Sequence, residues 1–354
     1  MFEEVLSGYG IRTTAKMQTH GTGLIHNTWK ITDGSNEYIL QRINHNVFKQ
    51  PDNIARNIGL IASWLKENHP EYFFVTPIEA KNGEGMLHIP DLGCFRMFPF
   101  VKNSVTYDIA QTSHQAFEAA RQFAMFTCVL ADFPVRDLKI TLPDFHNLAY
   151  RYAQFEDAVS HGNAVRIRES EQEIDYLYSQ RRIVSTYEQI VSDKEFKIRV
   201  THHDTKISNV LFDKNGNGIC VIDLDTVMPG YFISDVGDML RTYLSPVSEE
   251  EKDFNKITIR EDFFEAIARG YLSAMGNELS QKEGEHFVYS GMFMIYMQAL
   301  RFLTDHLNND VYYGSSYEGH NYVRAKNQVT LLQKLLESKN QLNKIVTTVS
   351  PNRH

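Results

Sequence analysis

The stretch from Val200 to Asp225 leaves this chain the fewest choices. Val200-Thr201-His202-His203-Asp204-Thr205-Lys206-Ile207-Ser208-Asn209-Val210-Leu211-Phe212 is a polar run held between apolar anchors. Fourteen residues beyond Asn209 stands Asp223, within Val221-Ile222-Asp223-Leu224-Asp225, and Gly216 and Gly218 lie between. Apolar runs this short, split by glycine, suit strands better than helices. The pattern predicts two short strands joined by a glycine turn, each presenting polar groups at one end.

Such a hairpin suits phosphoryl transfer from ATP. That chemistry needs a carboxylate to orient the attacking hydroxyl or accept its proton, and hard oxygen ligands to hold Mg²⁺ against the phosphates. Asp204 is the expected base, and Asn209 and Asp223 are the expected metal ligands. Asp225 faces a second metal or braces the turn. An Asp with Asn five positions on arises by chance in any long chain. With His202 two residues before it and Ile-Asp-x-Asp on the next strand, the combination is far more specific. His202 reads as a loop brace. A zinc site on His202, His203 and Asp204 is the competing reading, and it lacks metal-ligand spacing.

Here a resemblance becomes plain. The segments 202–209 and 222–225 resemble the catalytic loop and metal motif of the aminoglycoside/choline phosphotransferase family, which has a protein-kinase-like fold. The longer run 201–211, with Ile222-Asp223-Leu224-Asp225-Thr226-Val227-Met228-Pro229-Gly230, is similar to the bacterial N-acetylhexosamine 1-kinases of that family. The similarity extends more loosely over nearly the whole chain, through Asn27-Thr28, Tyr38-Ile39-Leu40-Gln41, and Arg301-Phe302-Leu303 with Asp305. It implies ATP and Mg²⁺ as cofactors and an amino sugar, phosphorylated on its anomeric hydroxyl, as substrate. Choline, ethanolamine, homoserine, a thiosugar or an aminoglycoside would be acceptors on the same fold. A nucleotide-binding pseudokinase is the reading from another class.

The remaining chain divides accordingly. Residues 1–100 read as a β-rich, nucleotide-binding lobe with one helix, and residues 101–354 as a helical catalytic and substrate lobe: an α+β, bilobal architecture. Asp33-Gly34 marks a hairpin. Pro51 opens a helix with Ile54, Ile58, Ile61 and Leu65 on one face. Strands are predicted over 73–78, 85–89 and 93–98, a helix from Ser113 to about residue 131, and two long charged helices over 145–161 and 169–192. A cleft between lobes is the natural ligand site.

Gly21-Thr22-Gly23-Leu24-Ile25-His26-Asn27-Thr28 is placed to cover phosphates. Gly21 and Gly23 would let backbone amides approach, and Asn27 or Thr28 would add a donor. A kinase carries a phosphate-binding lysine on its third strand, paired with a glutamate from the next helix. Here the strand reads Ile39-Leu40-Gln41-Arg42, and the helix from Pro51 has no glutamate before Glu67. The resemblance favours Gln41 at the lysine position. Residues 97–101 are the hinge. Phe98 and Phe100 would meet adenine, and Phe100 would supply the backbone donor that Pro99 lacks.

At the acceptor end, Asp235 reads as the cap of the next helix and Arg241 as paired with a nearby acid. Arg301 and Asp305 lie one helical turn apart. They form an intrahelical ion pair, or Arg301 binds the sugar. The resemblance adds Tyr312 as a sugar contact.

Composition sets outer limits. The net charge of −8 and pI near 6.0, without any basic run, exclude a nucleic-acid face. Cys94, Cys128 and Cys220 are odd in number and widely spaced, so disulfides are not expected. Met1-Phe2-Glu3-Glu4 does not resemble a signal peptide, and the apolar run 287–300 is short for a bilayer. A cytoplasmic monomer with ATP and a small molecule as partners is expected, with no nucleic acid and no membrane.

Overall fold

The computed structural model describes residues 2–21 and 25–350. Five strands, β1 (Lys16–Thr19), β2 (Asn27–Asp33), β3 (Asn36–Arg42), β4 (Leu87–Ile89) and β5 (Gly93–Pro99), form an antiparallel sheet in the order β1-β2-β3-β5-β4. Asp33 pairs with Asn36 across the predicted hairpin, where Gly34 takes φ +65°. Helix α1 (Phe2–Gly8) closes one face of the sheet. Its Val5 and Leu6 pack with Ile31, Leu40, Phe95 and Met97 in a small core.

Helix α2 (Pro51–Asn68) buries Ile54, Ile58, Ile61 and Leu65 as its spacing predicts. Their neighbours belong to the large core of the helical lobe, not to the sheet's own core. Asn57, wholly buried, fixes this attachment. Its amide donates to Lys139 O at 2.8 Å and Val227 O at 2.9 Å, and its Oδ1 accepts from Lys139 N at 2.8 Å. The segment 73–78 is extended but forms no strand; only Ile78 bridges to Met97. Pro77 cannot donate to a ladder, and β4 and β3 already flank β5.

The second lobe is helical. Helix α3 (Ser113–Val129) is capped by Thr112, whose hydroxyl accepts from Gln115 N in a capping box. The predicted helix over 145–161 is α4 (Leu148–His161), opened by Asn147. The predicted helix over 169–192 is broken into α5 (Ala164–Glu169), α6 (Glu171–Ser179) and α7 (Arg182–Ser192). Carbonyls near the breaks find other donors: Leu177 O accepts from the Tyr296 hydroxyl at 2.8 Å, and Ile183 O from the Tyr289 hydroxyl at 2.7 Å. Both tyrosines stand on α11 (Phe287–Leu307). This apolar helix is buried by α4, α8 (Phe232–Tyr243) and α12 (His320–Val349), while α9 (Glu261–Met275) lies on α3 and α10 (Gln281–Glu285) precedes α11. No described helix is long and apolar enough to cross a membrane.

Candidate active site

Two small ladders carry the polar loops. Strand β6 (Arg199–Thr201) pairs with β9 (Met228–Gly230), and β7 (Val210–Phe212) pairs with β8 (Gly218–Val221). The 202–209 loop and the 222–227 segment therefore run side by side, tied by Ile222 N to Asn209 O at 2.8 Å. His203 and Asp223 take φ +67° and +61°. Residues with a Cβ rarely adopt that region, and such strain gathers at functional sites. Gly230 makes room for His203: a Cβ there would meet the ring at 2.5 Å.

Helix α8 holds the loop from beneath. Asp235 does not cap its helix, as the sequence suggested; Tyr231 occupies the cap position. Instead, Asp235 accepts from His203 N at 2.7 Å and His202 N at 3.0 Å. Burial pushes its carboxyl up to about 7 against the pull of those amides. One turn on, Asp238 accepts from Thr205 N at 2.8 Å and pairs with Arg241 at 3.0 Å. Gly237 lets α8 approach α11 this closely, since a Cβ there would lie 2.4 Å from Ser290 O. His202 is the brace expected: its Nε2 meets Ile222 O at 3.0 Å and its ring packs edge-on against Phe123.

Asp204 emerges between these anchors, partly exposed. Asn209 Nδ2 donates to its Oδ2 at 3.0 Å and to its carbonyl at 2.9 Å. Lys206 Nζ lies 3.0 Å from the same Oδ2. Burial opposes the Lys206 charge, yet Asp204, Asp223 and Asp238 raise its pKa above the ordinary value. The Asp223 carboxyl is displaced upward by burial and by the Asp225 and Asp204 carboxylates nearby. Such surplus negative charge, with a neutral amide oxygen beside it, fits a hard divalent cation. Mg²⁺ commonly takes only one or two protein ligands beside phosphates.

Asn209 and Asp223 line a cavity of about 320 Å³ between the lobes. Thr28, Gln41, Arg96 and Phe98 line it from the sheet, and Phe100 and Val101 from the connection to the second lobe. Of the expected nucleotide contacts, Thr28, Gln41, Phe98 and Phe100 thus share one cleft with the expected metal ligands. Gly21 is exposed at φ +75°, and Asn27 is exposed at the start of β2, outside the cavity lining; Gly23 lies outside the described residues. Phe100 cannot serve as the expected backbone donor, because its N–H is bonded to Glu37 O at 3.0 Å. Val101 N has no hydrogen-bond partner among the described residues and is the next amide along the hinge.

Asp225 is not free for a second metal. It pairs with Arg96 through one oxygen and with His26 through the other. Arg96, Lys206 and His26 join the site without any motif that marks them. Arg96 had a signal: it is the lone charge in Cys94-Phe95-Arg96-Met97-Phe98 and is 1% exposed.

Where the acceptor was expected, Arg301 does not pair with Asp305. Asp305 accepts instead from Tyr312 N at 2.7 Å and Tyr313 N at 2.9 Å. Arg301 bonds Gln298 Oε1 at 3.2 Å and lies over the rings of Phe145, Tyr312 and Tyr313. Tyr312 is 69% exposed. Phe145 stacks on His146, whose Nδ1 is 3.3 Å from His203 Nδ1, so this cluster is continuous with the Asp204 loop. Burial, then His203, Arg301, Arg241 and Arg151, keep His146 uncharged.

The model of the phosphotransferase enzyme family (APH) matches residues 16–278. The chain belongs to that family and is a small-molecule phosphotransferase. Solved structures share its bilobal, protein-kinase-like fold. A microcompartment-associated aminopropanol kinase is 15% identical, with TM-score 0.62 over 96% of this chain and 97% of its own. An aminoglycoside phosphotransferase from Alicyclobacillus acidocaldarius is 11% identical, with TM-score 0.65 over 97% and 95%. A choline kinase from Cryptosporidium parvum is 14% identical, with TM-score 0.54 over 95% and 93%.

Proposed function

We propose that this chain is an ATP- and Mg²⁺-dependent kinase that phosphorylates the anomeric hydroxyl of an N-acetylhexosamine. One observation carries the reading: Asn209 and Asp223, which carry metal-binding oxygens, line the inter-lobe cleft together, and Asp204 is hydrogen-bonded to Asn209. Asn209 and Asp223 would hold the cation. Bound there, it would neutralise phosphate charge. Asp204 orients the acceptor hydroxyl and takes its proton as that oxygen bonds the γ-phosphorus of ATP and the bond from that phosphorus to the bridging oxygen breaks, releasing ADP. Lys206, 3.0 Å from Asp204, adds positive charge where the phosphoryl group passes. Adenine lies against Phe98, with Val101 N as donor.

The acceptor follows from the resemblance and from the charge beside the Asp204 loop. Arg301 has no carboxylate partner among the described residues and stands among aromatic rings with Arg151 nearby. A neutral sugar with hydroxyl and acetamide oxygens suits such donors. A polycationic aminoglycoside or a quaternary amine would meet like charge. The presence of Asp204, Asn209 and Asp223 together argues against a pseudokinase.

The test is ADP release in a coupled assay with Mg²⁺, ATP and either N-acetylglucosamine or N-acetylgalactosamine. Turnover yielding the sugar 1-phosphate is expected. Turnover with choline, ethanolamine or an aminoglycoside, and none with either sugar, would refute the acceptor.

A further inference from the structure

The geometry points to Arg96 as the cation that meets the nucleotide phosphates in this chain, held in place by Asp225. The inference rests on the reading of the cleft as a nucleotide site and names a group that reading left open. In protein kinases that cation is a lysine of the third strand, held by a helix glutamate. Neither exists here: Gln41 is neutral, and α2 has only Glu67, in its last turn.

Arg96 stands directly across the ladder from Gln41, on the neighbouring strand β5. Cross-strand partners face the same side of a sheet, so both side chains reach the cavity. Arg96 Nε donates to Gln41 Oε1 at 3.0 Å, and Nη1 bonds Asp225 Oδ1. Its Nη2 has no protein partner among the described residues. A guanidinium that is almost wholly buried, lines the nucleotide cleft and keeps one nitrogen unspent is poised for an anion. Gln41 thereby becomes a positioning residue: it receives Arg96 and reaches Thr28 Oγ1 at 3.4 Å.

Asp225 does more than hold Arg96. Its other oxygen meets His26 Nε2, while His26 Nδ1 accepts from Asn44 N at 3.1 Å. That acceptor role puts the ring proton on Nε2, facing the carboxylate. One carboxylate of the helical lobe thus fixes both the phosphate cation and the residue that ends the glycine loop.

Calorimetric titration of the full chain with ATP, ADP and adenosine tests this. Arg96→Met alone would leave Asp225 buried and unpaired. The measurement therefore uses the Arg96→Met/Asp225→Asn double variant, which removes both charges together. ADP and ATP affinity should fall about 10- to 100-fold, as losing a charge-assisted contact implies, with adenosine binding within about twofold of wild type. Arg96→Lys, which keeps a cation beside Asp225, should lose less than about tenfold. ADP affinity equal to wild type in the double variant would overturn the inference, as would an adenosine loss parallel to the ADP loss. Wild-type protein that bound ATP but phosphorylated no hexosamine would remove the acceptor assignment alone and leave this one standing.

Discussion

Replacing Asp235 should loosen the loop that carries Asp204, by an amount the structure allows to be worked out. Asp235 is 1% exposed, and its two oxygens accept from His203 N and His202 N at 2.7 and 3.0 Å. Asp235→Ala strands both amides in a site shielded from water. Each unsatisfied donor costs about 1–3 kcal/mol, so the pair costs roughly 2–6 kcal/mol. Asp235→Asn keeps one acceptor and turns an NH₂ toward the other amide, for about 1–3 kcal/mol. Against a typical total of about 5–15 kcal/mol, the alanine variant is badly weakened. Urea titration gives the totals, and amide exchange at 202–205 localises them. Because most of the inter-lobe cleft is lined from the sheet, the connection and the 221–224 segment, kcat should fall more than the KM for ATP rises. An alanine variant within about 0.5 kcal/mol of wild type, with exchange at 202–205 unchanged, would refute the reasoning.

Three further outcomes are expected. Asp204→Asn should lower kcat by about 10²–10⁴-fold while ATP binding, read by calorimetry, stays near wild type. His203 is buried, which, with His202 beside it, holds its pKa down at about 4 despite nearby backbone acceptors. The unfolded chain, with His near 6.5, binds more protons between those values. This stability is therefore full above pH 6.5 and lost as the pH falls toward 4, about 2 kcal/mol being gone by pH 5. Denaturation at pH 7 and pH 5 should show a flatter dependence in His203→Asn. Asn57→Leu should cost about 2–4 kcal/mol by unpairing Lys139 and Val227, measured by urea unfolding; a neutral variant would show that the tether carries no energy.

Local patterns were readable from the sequence, and distant partnerships were not. Asp204, Asn209 and Asp223 stand within one nested pair of ladders, so motif spacing alone brought them together. The Asp33-Gly34 turn and the apolar face of α2 were equally plain. Arg96 and His26 find Asp225 across separations of 129 and 199 residues, which no periodicity reveals. The breaks in the 169–192 segment stand beside tyrosine hydroxyls from α11, more than a hundred residues away. Asp235 looked like a cap because its sequence context is that of a helix start, whereas its real partners are amides thirty-two and thirty-three residues upstream.

Helix α2 has a consequence for control. Many protein kinases are turned on and off by swinging the corresponding helix in and out, which makes or breaks a lysine–glutamate contact. Here that helix is bolted to the larger lobe through Asn57 and a shared apolar core, and carries no counter-charge to deliver. A regulator pushing on it would have to work against packed interior rather than tip a balance.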